Sequence, residues 1–173
     1  MNFVKTFIIT LLIYLGLNTV FTLVAVFTVA GFPTTDIMLI ITMIFAPIFT
    51  FPGEAWSTSG ILPLLTTTDI SVDLMVFLGL ILPPLIAIIV ASFLGDSNKT
   101  VIGAWLTTAL LSSVVYAILL GIGQLSSSYL AIDWFGKVVL YGELGTILVI
   151  FISGIANGLF YGCVAFIITK AGL

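Results

Sequence analysis

Carboxylates beside long apolar stretches are the side chains in this sequence with the clearest capacity for chemistry. Asp69 and Asp73 lie four residues apart at the start of one stretch, and Glu143 lies near the start of another. Paired carboxylates can bind a cation or share a proton, and an ionisable group in an apolar span indicates a proton or cation site. Asp73 and Glu143 are therefore candidate ion- or solute-binding residues.

The same carboxylates also have a simpler interpretation, in which they only shape the ends of helices. Asp69 would be a helix N-cap, and Asp73 would meet lipid headgroups or outer loop donors. Glu143 would be an interfacial acid that suits the helix dipole or pairs with Lys137. The sequence leaves both interpretations open.

Two asparagines lie in the middle of apolar stretches, each with a tyrosine four residues away: Asn18 with Tyr14, and Asn157 with Tyr161. If their helices run in opposite directions, the two pairs lie at similar depth. We therefore expect Asn18 and Asn157 to hydrogen-bond to each other and fix the register of the first and last helices. Such bonds stabilise membrane proteins by only about 0.6 kcal/mol on average. The alternative is a polar patch that lines a substrate path.

Gly154, Gly158 and Gly162 are spaced four residues apart and form one stripe on a helix. A surface without side chains lets another helix backbone approach closely in lipid. The stripe predicts a helix-packing face, directed at this chain or at a partner subunit, although glycine is also simply common in membrane helices. Because we expect the first helix to meet Asn157, we expect the glycine groove beside it to be free for another chain.

The composition excludes several classes of function. Histidine is absent and Cys163 is the single cysteine, which removes the usual ligands of haem, zinc, copper and iron–sulfur centres. No catalytic pair of nucleophile and base can be assembled, so we expect no cofactor, no metal and no enzyme activity. A net charge of −3 and a pI of about 4.3 argue against nucleic acid as a partner.

The elements that would position these residues are apolar helices. Hydrophobic residues make up 61% of the 173 and charged residues 6%, and the mean hydropathy is +1.40, so the bilayer is the expected solvent. We predict an all-α integral membrane protein, a single transmembrane domain over residues 1–173, with four spans. The predicted spans cover about 7–30, 70–95, 101–123 and 142–169. Residues 124–141 read as a mixed loop.

The apolar segment 37–51 decides between four spans and five. It has fifteen residues, or about 22 Å as a helix against a hydrocarbon core of about 30 Å. It is either a short re-entrant or interfacial helix or a tilted fifth span. In the four-span arrangement Lys5, Lys99 and Lys170 share one side, which the positive-inside rule makes cytoplasmic together with both ends of the chain. Five spans remove this bias, so we predict four.

One tryptophan indicates where a membrane interface lies. Trp105 is expected to mark the inner membrane interface.

The expected function is that of a non-catalytic subunit of a larger membrane complex, with other membrane subunits or further copies of the chain as partners besides the lipid bilayer. The alternative is a small-solute or ion transport component whose site between the helices is lined by Asp73, Glu143, Asn18 and Asn157.

Overall fold

The computed structural model describes residues 2–28, 32–46 and 70–170, and for residues 70–73, 169 and 170 it describes the backbone alone. Within these ranges the chain is helical and has no strand. The helices are α1 (Phe3–Thr28), α2 (Ile37–Phe45), α3 (Ile70–Leu94), α4 (Asn98–Gly123) and α5 (Ser128–Lys170). Four of these helices, all except α2, are long and apolar enough to cross a membrane. The predicted all-helical class with four candidate spans is confirmed.

Contacts between helix ends show how the long helices run. The Thr28 hydroxyl lies 3.5 Å from the sulfur of Met75, so α1 ends where α3 begins. The ring of Phe3 lies against Gly103, so α1 and α4 begin at the same end of the bundle, here named the first end. The chain between α1 and α3 therefore leaves and re-enters at the opposite, second end, as four spans require and five would not.

The short helix α2 lies at the second end and packs against α1 and α4. Asp36 is its N-cap, because its Oδ1 accepts a hydrogen bond of 3.0 Å from the Leu39 backbone N–H. The helix ends at Phe45 with Ala46 as C-cap, and the next residue in the sequence is Pro47, before which helices commonly end. Nine residues give a length of about 13 Å. Residues 47–51 of the predicted segment lie outside the described residues.

The predicted loop over 124–141 is wrong from Ser128 onward, where α5 begins. The Ser127 hydroxyl accepts a hydrogen bond from the Leu130 N–H at 3.2 Å and caps this helix. Leu130 and Trp134, one turn apart, are buried on one face. Gly142 interrupts the helix with φ 70° and ψ 169°, a conformation open almost only to glycine. The helix α5 is thus two helical pieces, 128–141 and 143–170.

The core between the long helices has an aromatic centre. Trp105 is fully buried between the rings of Tyr14 and Tyr161, with ring centroids 5.7 Å away in each case. Its predicted place at a membrane interface is therefore wrong: the edge-to-face contacts with two rings hold the indole inside the bundle. A second core cluster, towards the second end, contains Tyr116, Leu120, Leu130, Trp134 and Ile150.

Candidate functional site

The interior face of α1 is polar. Its buried residues recur every four positions, and five of the six are polar or tyrosine: Thr6, Thr10, Tyr14, Asn18, Thr22 and Val26. A spacing of four residues keeps these side chains along one stripe of the helix. Many of the apolar side chains of α1, such as Leu12, Val20 and Phe27, are exposed on the outward side. The four-residue spacing is visible in the sequence and would have located Thr22, which the sequence analysis missed.

Asn18 is 1% exposed, and its side-chain amide donates a hydrogen bond of 2.8 Å to the backbone carbonyl of Ile44. The predicted bond between Asn18 and Asn157 is therefore wrong, although Asn157 is also buried, in α5. The physical reason is that the last carbonyl groups of a helix have no intrahelical donor. The end of α2 brings such a carbonyl to Asn18.

Gly154 and Gly158 lie against α4 of the same chain. A Cβ atom at Gly154 would overlap the Ser113 hydroxyl and lie 2.7 Å from the Ser113 Cβ. A Cβ atom at Gly158 would lie 2.8 Å from Leu106 Cδ1 and 3.2 Å from Ala109 Cβ. Two helices can approach this closely only where one of them has no side chain.

Gly162 has more room, because a Cβ atom there would lie 3.5 Å from Ile102 Cγ2, an ordinary van der Waals distance. All three glycines nevertheless face α4 and are buried. The expectation that their groove is free for another chain is wrong at Gly154 and Gly158, which α4 contacts closely. Gly158 and Gly162 nevertheless also line an open apolar pocket of about 470 Å³ between α4 and α5. The first helix, α1, packs chiefly against α3 and α4.

The candidate carboxylates are not brought together with Asn18. Glu143 is exposed, for a reason that follows from the antiparallel register. Gly154 faces Ser113, so Glu143, eleven residues earlier, comes level with the residue that follows the end of α4. Asp73 lies in the first turns of α3, but only its backbone is described, and Asp69 lies outside the described residues.

Charged and hydroxyl side chains meet at the second end. Lys137 forms an ion pair with Asp133, one turn away on α5, and not with Glu143 as the simpler interpretation proposed. Residues 137 and 143 are six positions apart, a spacing at which helical side chains do not meet, and Gly142 also divides the helix between them. The Tyr116 hydroxyl donates a hydrogen bond of 3.1 Å to the other Asp133 oxygen, which ties α4 to the first piece of α5.

A pocket of about 150 Å³ lies between α1, α2 and the first half of α3. Asn18 and Thr22 are its polar side chains, one turn apart on α1. The other described residues that line it are apolar: Phe21, Ala25, Met43, Ala46, Met75, Val76, Gly79 and Leu80. No charged side chain lines the pocket within the part of the chain that the structure describes.

Two prolines affect the wall that α3 contributes to this pocket. Pro83 and Pro84 lie inside α3 and are buried. Proline has no backbone N–H, so the carbonyl groups of Gly79 and Leu80, four residues earlier, receive no intrahelical bond from those positions. Both of these residues line the pocket.

The contacts described above divide the predicted site residues into separate groups. The glycines hold α5 against α4, Asn18 holds the end of α2 and borders a pocket, and Glu143 lies on the surface. A comparison of the chain with protein-family models, with curated proteins and with solved structures finds no match.

Proposed function

We propose that the chain is an integral membrane protein with four spans, α1, α3, α4 and α5, and that α2 is an interfacial or re-entrant helix on the outer side. Four helices of sufficient length and apolarity support this, as does the return of the chain to one end of the bundle between Thr28 and Met75. The first end, which carries Lys5 and Lys99, faces the cytoplasm by the positive-inside rule.

We further propose that the protein is a non-catalytic subunit of a membrane complex, held there by the outward face of α5. The observation behind this proposal is how little of α5 the chain itself covers. In the most apolar stretch of α5 17% of the residues are buried, the lowest share of the four long helices, compared with 22% in α1, 33% in α3 and 39% in α4. The side chains of Leu148, Ile152, Leu159 and Ile167, which point away from the glycine stripe, are each more than half exposed.

Co-purification from native membranes in mild detergent tests this assembly role. We expect Ile152→Trp and Leu159→Trp to release the partner proteins, because a bulky ring on a packed face prevents close helix contact. Leu12→Trp is the matched control, since Leu12 is 64% exposed on the outward face of α1, and it should leave the complex intact. A wild-type chain that migrates alone, or complexes unaffected by both α5 variants, would contradict the proposal.

The second candidate function is that of a small-solute transport component, and the pocket beside Asn18 favours it. Of the four residues predicted to line such a site, Asn18 does so, whereas Glu143 is exposed on α5. A neutral solute therefore suits the described lining better than an ion. Uptake into proteoliposomes that contain the purified chain alone tests this function, with Ala25→Phe as the variant that fills the pocket.

A further inference from the structure

We propose that the pocket between α1, α2 and α3 binds a small neutral molecule, about the size of one aromatic ring, that carries a single hydroxyl or amine group. The site does not depend on the assembly role. If the protein is a solute transport component, the second candidate function, the binding site identifies the class of solute that it carries.

The pocket, with a volume of about 150 Å³, has room for one aromatic ring. An enclosed apolar cavity of this volume in another protein stays dry and binds benzene, whereas the pocket here is partly open. The lining here is similar in its apolar part, with the ring of Phe21 and the thioethers of Met43 and Met75. Such flexible, polarizable side chains adapt well to the outline of a ring.

The first polar group of the site is the side-chain oxygen of Asn18. The side-chain amide nitrogen donates to the Ile44 carbonyl. This bond distinguishes the nitrogen of the side-chain amide from its oxygen. That oxygen is buried and has no hydrogen-bond partner in the described structure. Buried polar atoms are nearly always paired, so an unpaired one calls for a missing partner. In the described arrangement no water-sized group reaches this oxygen, so a ligand donor bonds to it only after the amide shifts towards the pocket.

The second polar group is the hydroxyl of Thr22, which differs from the other threonines of α1. Thr6, Thr10, Thr19 and Thr28 each donate to the backbone carbonyl one turn earlier. In α1, which is described along its whole length, Thr22 alone has no such bond, although it is only 5% exposed. Its hydroxyl is available as donor and acceptor to a molecule in the pocket.

The wall contributed by α3 adds further acceptors. The carbonyl groups of Gly79 and Leu80 lack the intrahelical donors that Pro83 and Pro84 cannot supply. In membrane helices, freed carbonyl groups of this kind are satisfied by neighbouring helices, by Ser or Thr side chains or by ordered water. A hydroxyl of a ligand can take the place of such a water, and this favours a ligand that carries a donor. Because no charged side chain is among the described lining residues, we infer a neutral donor.

Binding of 4-fluorophenol, followed by fluorine NMR on the purified full chain in lipid nanodiscs, tests the proposal. We expect saturable binding, and we expect fluorobenzene, which lacks the hydroxyl, to bind about tenfold more weakly or worse, because the buried acceptors then stay unpaired. Empty nanodiscs provide the correction for partition into lipid. Equal binding of both probes, or no saturable binding because the pocket holds water alone, would overturn the proposal.

Three variants connect the binding to this pocket. Thr22→Val removes the hydroxyl at constant shape and leaves the attachment of α2 through Asn18 intact, and it should weaken 4-fluorophenol about tenfold. Ala25→Phe fills the pocket and should abolish binding. Thr10→Val is the control, since Thr10 is equally buried on α1 but does not line the pocket. Binding that survives Ala25→Phe would refute the site, and this result would leave the co-purification test unaffected.

Discussion

At the scale of the residue, the glycines of this chain differ in what a side chain would meet. Gly154 and Gly158 have α4 within contact distance, whereas a Cβ atom at Gly16 would have nothing within 4 Å. All three are helical, so the difference is one of space and not of backbone conformation. Close approach of α4 and α5 therefore depends on particular glycines.

Alanine substitutions should rank the glycines by that space. We expect Gly154→Ala to lower the stability most and Gly158→Ala less, within the 1–3 kcal/mol or so that overpacking costs. Gly162→Ala should cost nothing, because its Cβ atom fits at 3.5 Å from Ile102. Thermal unfolding in detergent measures the series. Gly16→Ala is the control and should be neutral or stabilising by up to about 1 kcal/mol. Equal melting temperatures for all four variants would contradict this ranking.

The same geometry makes the substitution Gly158→Leu unsuitable as a test of whether the protein assembles with partners. A leucine there would clash with Leu106 and Ala109 of the same chain, and the substitution would separate α4 from α5. Loss of a complex in that variant would then report a damaged fold. Substitutions on the exposed face of α5 test assembly without this ambiguity.

At the scale of the element, α2 is attached at both ends by side chains of other helices. At its start, the second carboxylate oxygen of Asp36 accepts a hydrogen bond of 2.5 Å from the Ser127 hydroxyl. At its end, Asn18 binds the Ile44 carbonyl. A nine-residue helix would be marginal alone, so these attachments contribute to its presence.

Ser127→Ala should loosen α2 although the two lie 91 residues apart in the chain. Through the loss of the bond to Asp36, about 1 kcal/mol, we expect the amide hydrogens of residues 37–45 to exchange about fivefold faster. The variant also removes the N-cap of α5, which should show separately as faster exchange at the Leu130 amide. Hydrogen–deuterium exchange with mass spectrometry measures this. Ser126→Ala serves as the control, because Ser126 bonds only to the nearby Gly123 carbonyl. Unchanged exchange in Ser127→Ala would contradict the attachment.

The break in α5 should be sensitive to a single methyl group. Gly142 has φ 70°, and a Cβ atom there would meet nothing within 4 Å, so the cost of Gly142→Ala is purely conformational. We expect a loss of about 1–3 kcal/mol in thermal unfolding. Gly136→Ala, at a helical position with equally open space, should show no loss. Equal stability of the two variants would mean that the break does not need glycine.

At the scale of the whole molecule, the positions of the charged residues predict the orientation in the membrane. Lys5 and Lys99 lie at the helix starts that share the first end, and Lys137 lies near the second end with Asp133. Because α2 does not reach the first end, the link between α1 and α3 lies at the second end, the link between α3 and α4 at the first end, and the link between α4 and α5 at the second end.

Reporter fusions in two short links test this orientation. With the first end cytoplasmic, a reporter after Asn98 should be inside and a reporter after Ser126 outside. Both links belong to the described residues and adjoin α4, so the pair brackets one span. A crossing by α2 would reverse both results, provided that the residues before α1 are cytoplasmic. A third reporter, fused ahead of α1 on the full chain, controls that condition.

The helical class and the four long apolar helices were predictable because hydropathy alone determines them. The loop predicted over 124–141 failed because Asp133 and Lys137 made the segment look polar. They pair with each other on one turn, and Leu130 and Trp134 supply the buried face. An interpretation that treats each charged residue separately does not recognise that the two can neutralise each other within one helix.

The partner of Asn18 could not be predicted, because it is a backbone carbonyl and every residue has one. The Ile44 carbonyl is available to Asn18 only because α2 ends at this place. The pocket was beyond prediction for a similar reason, since it depends on how three helices meet. The polar stripe of α1, by contrast, could have been found from its four-residue spacing.

The polar stripe of α1 has a consequence for the order in which the protein is made. Synthesis runs from the amino end, so α1 is made before α3 and α4 exist to cover its polar groups. Four of its threonines bond to their own backbone and need no later segment. Asn18 has no such partner within α1, but its acceptor at Ile44 is made 26 residues later, long before Asn157. The bond that is present is thus one that the growing chain can form early.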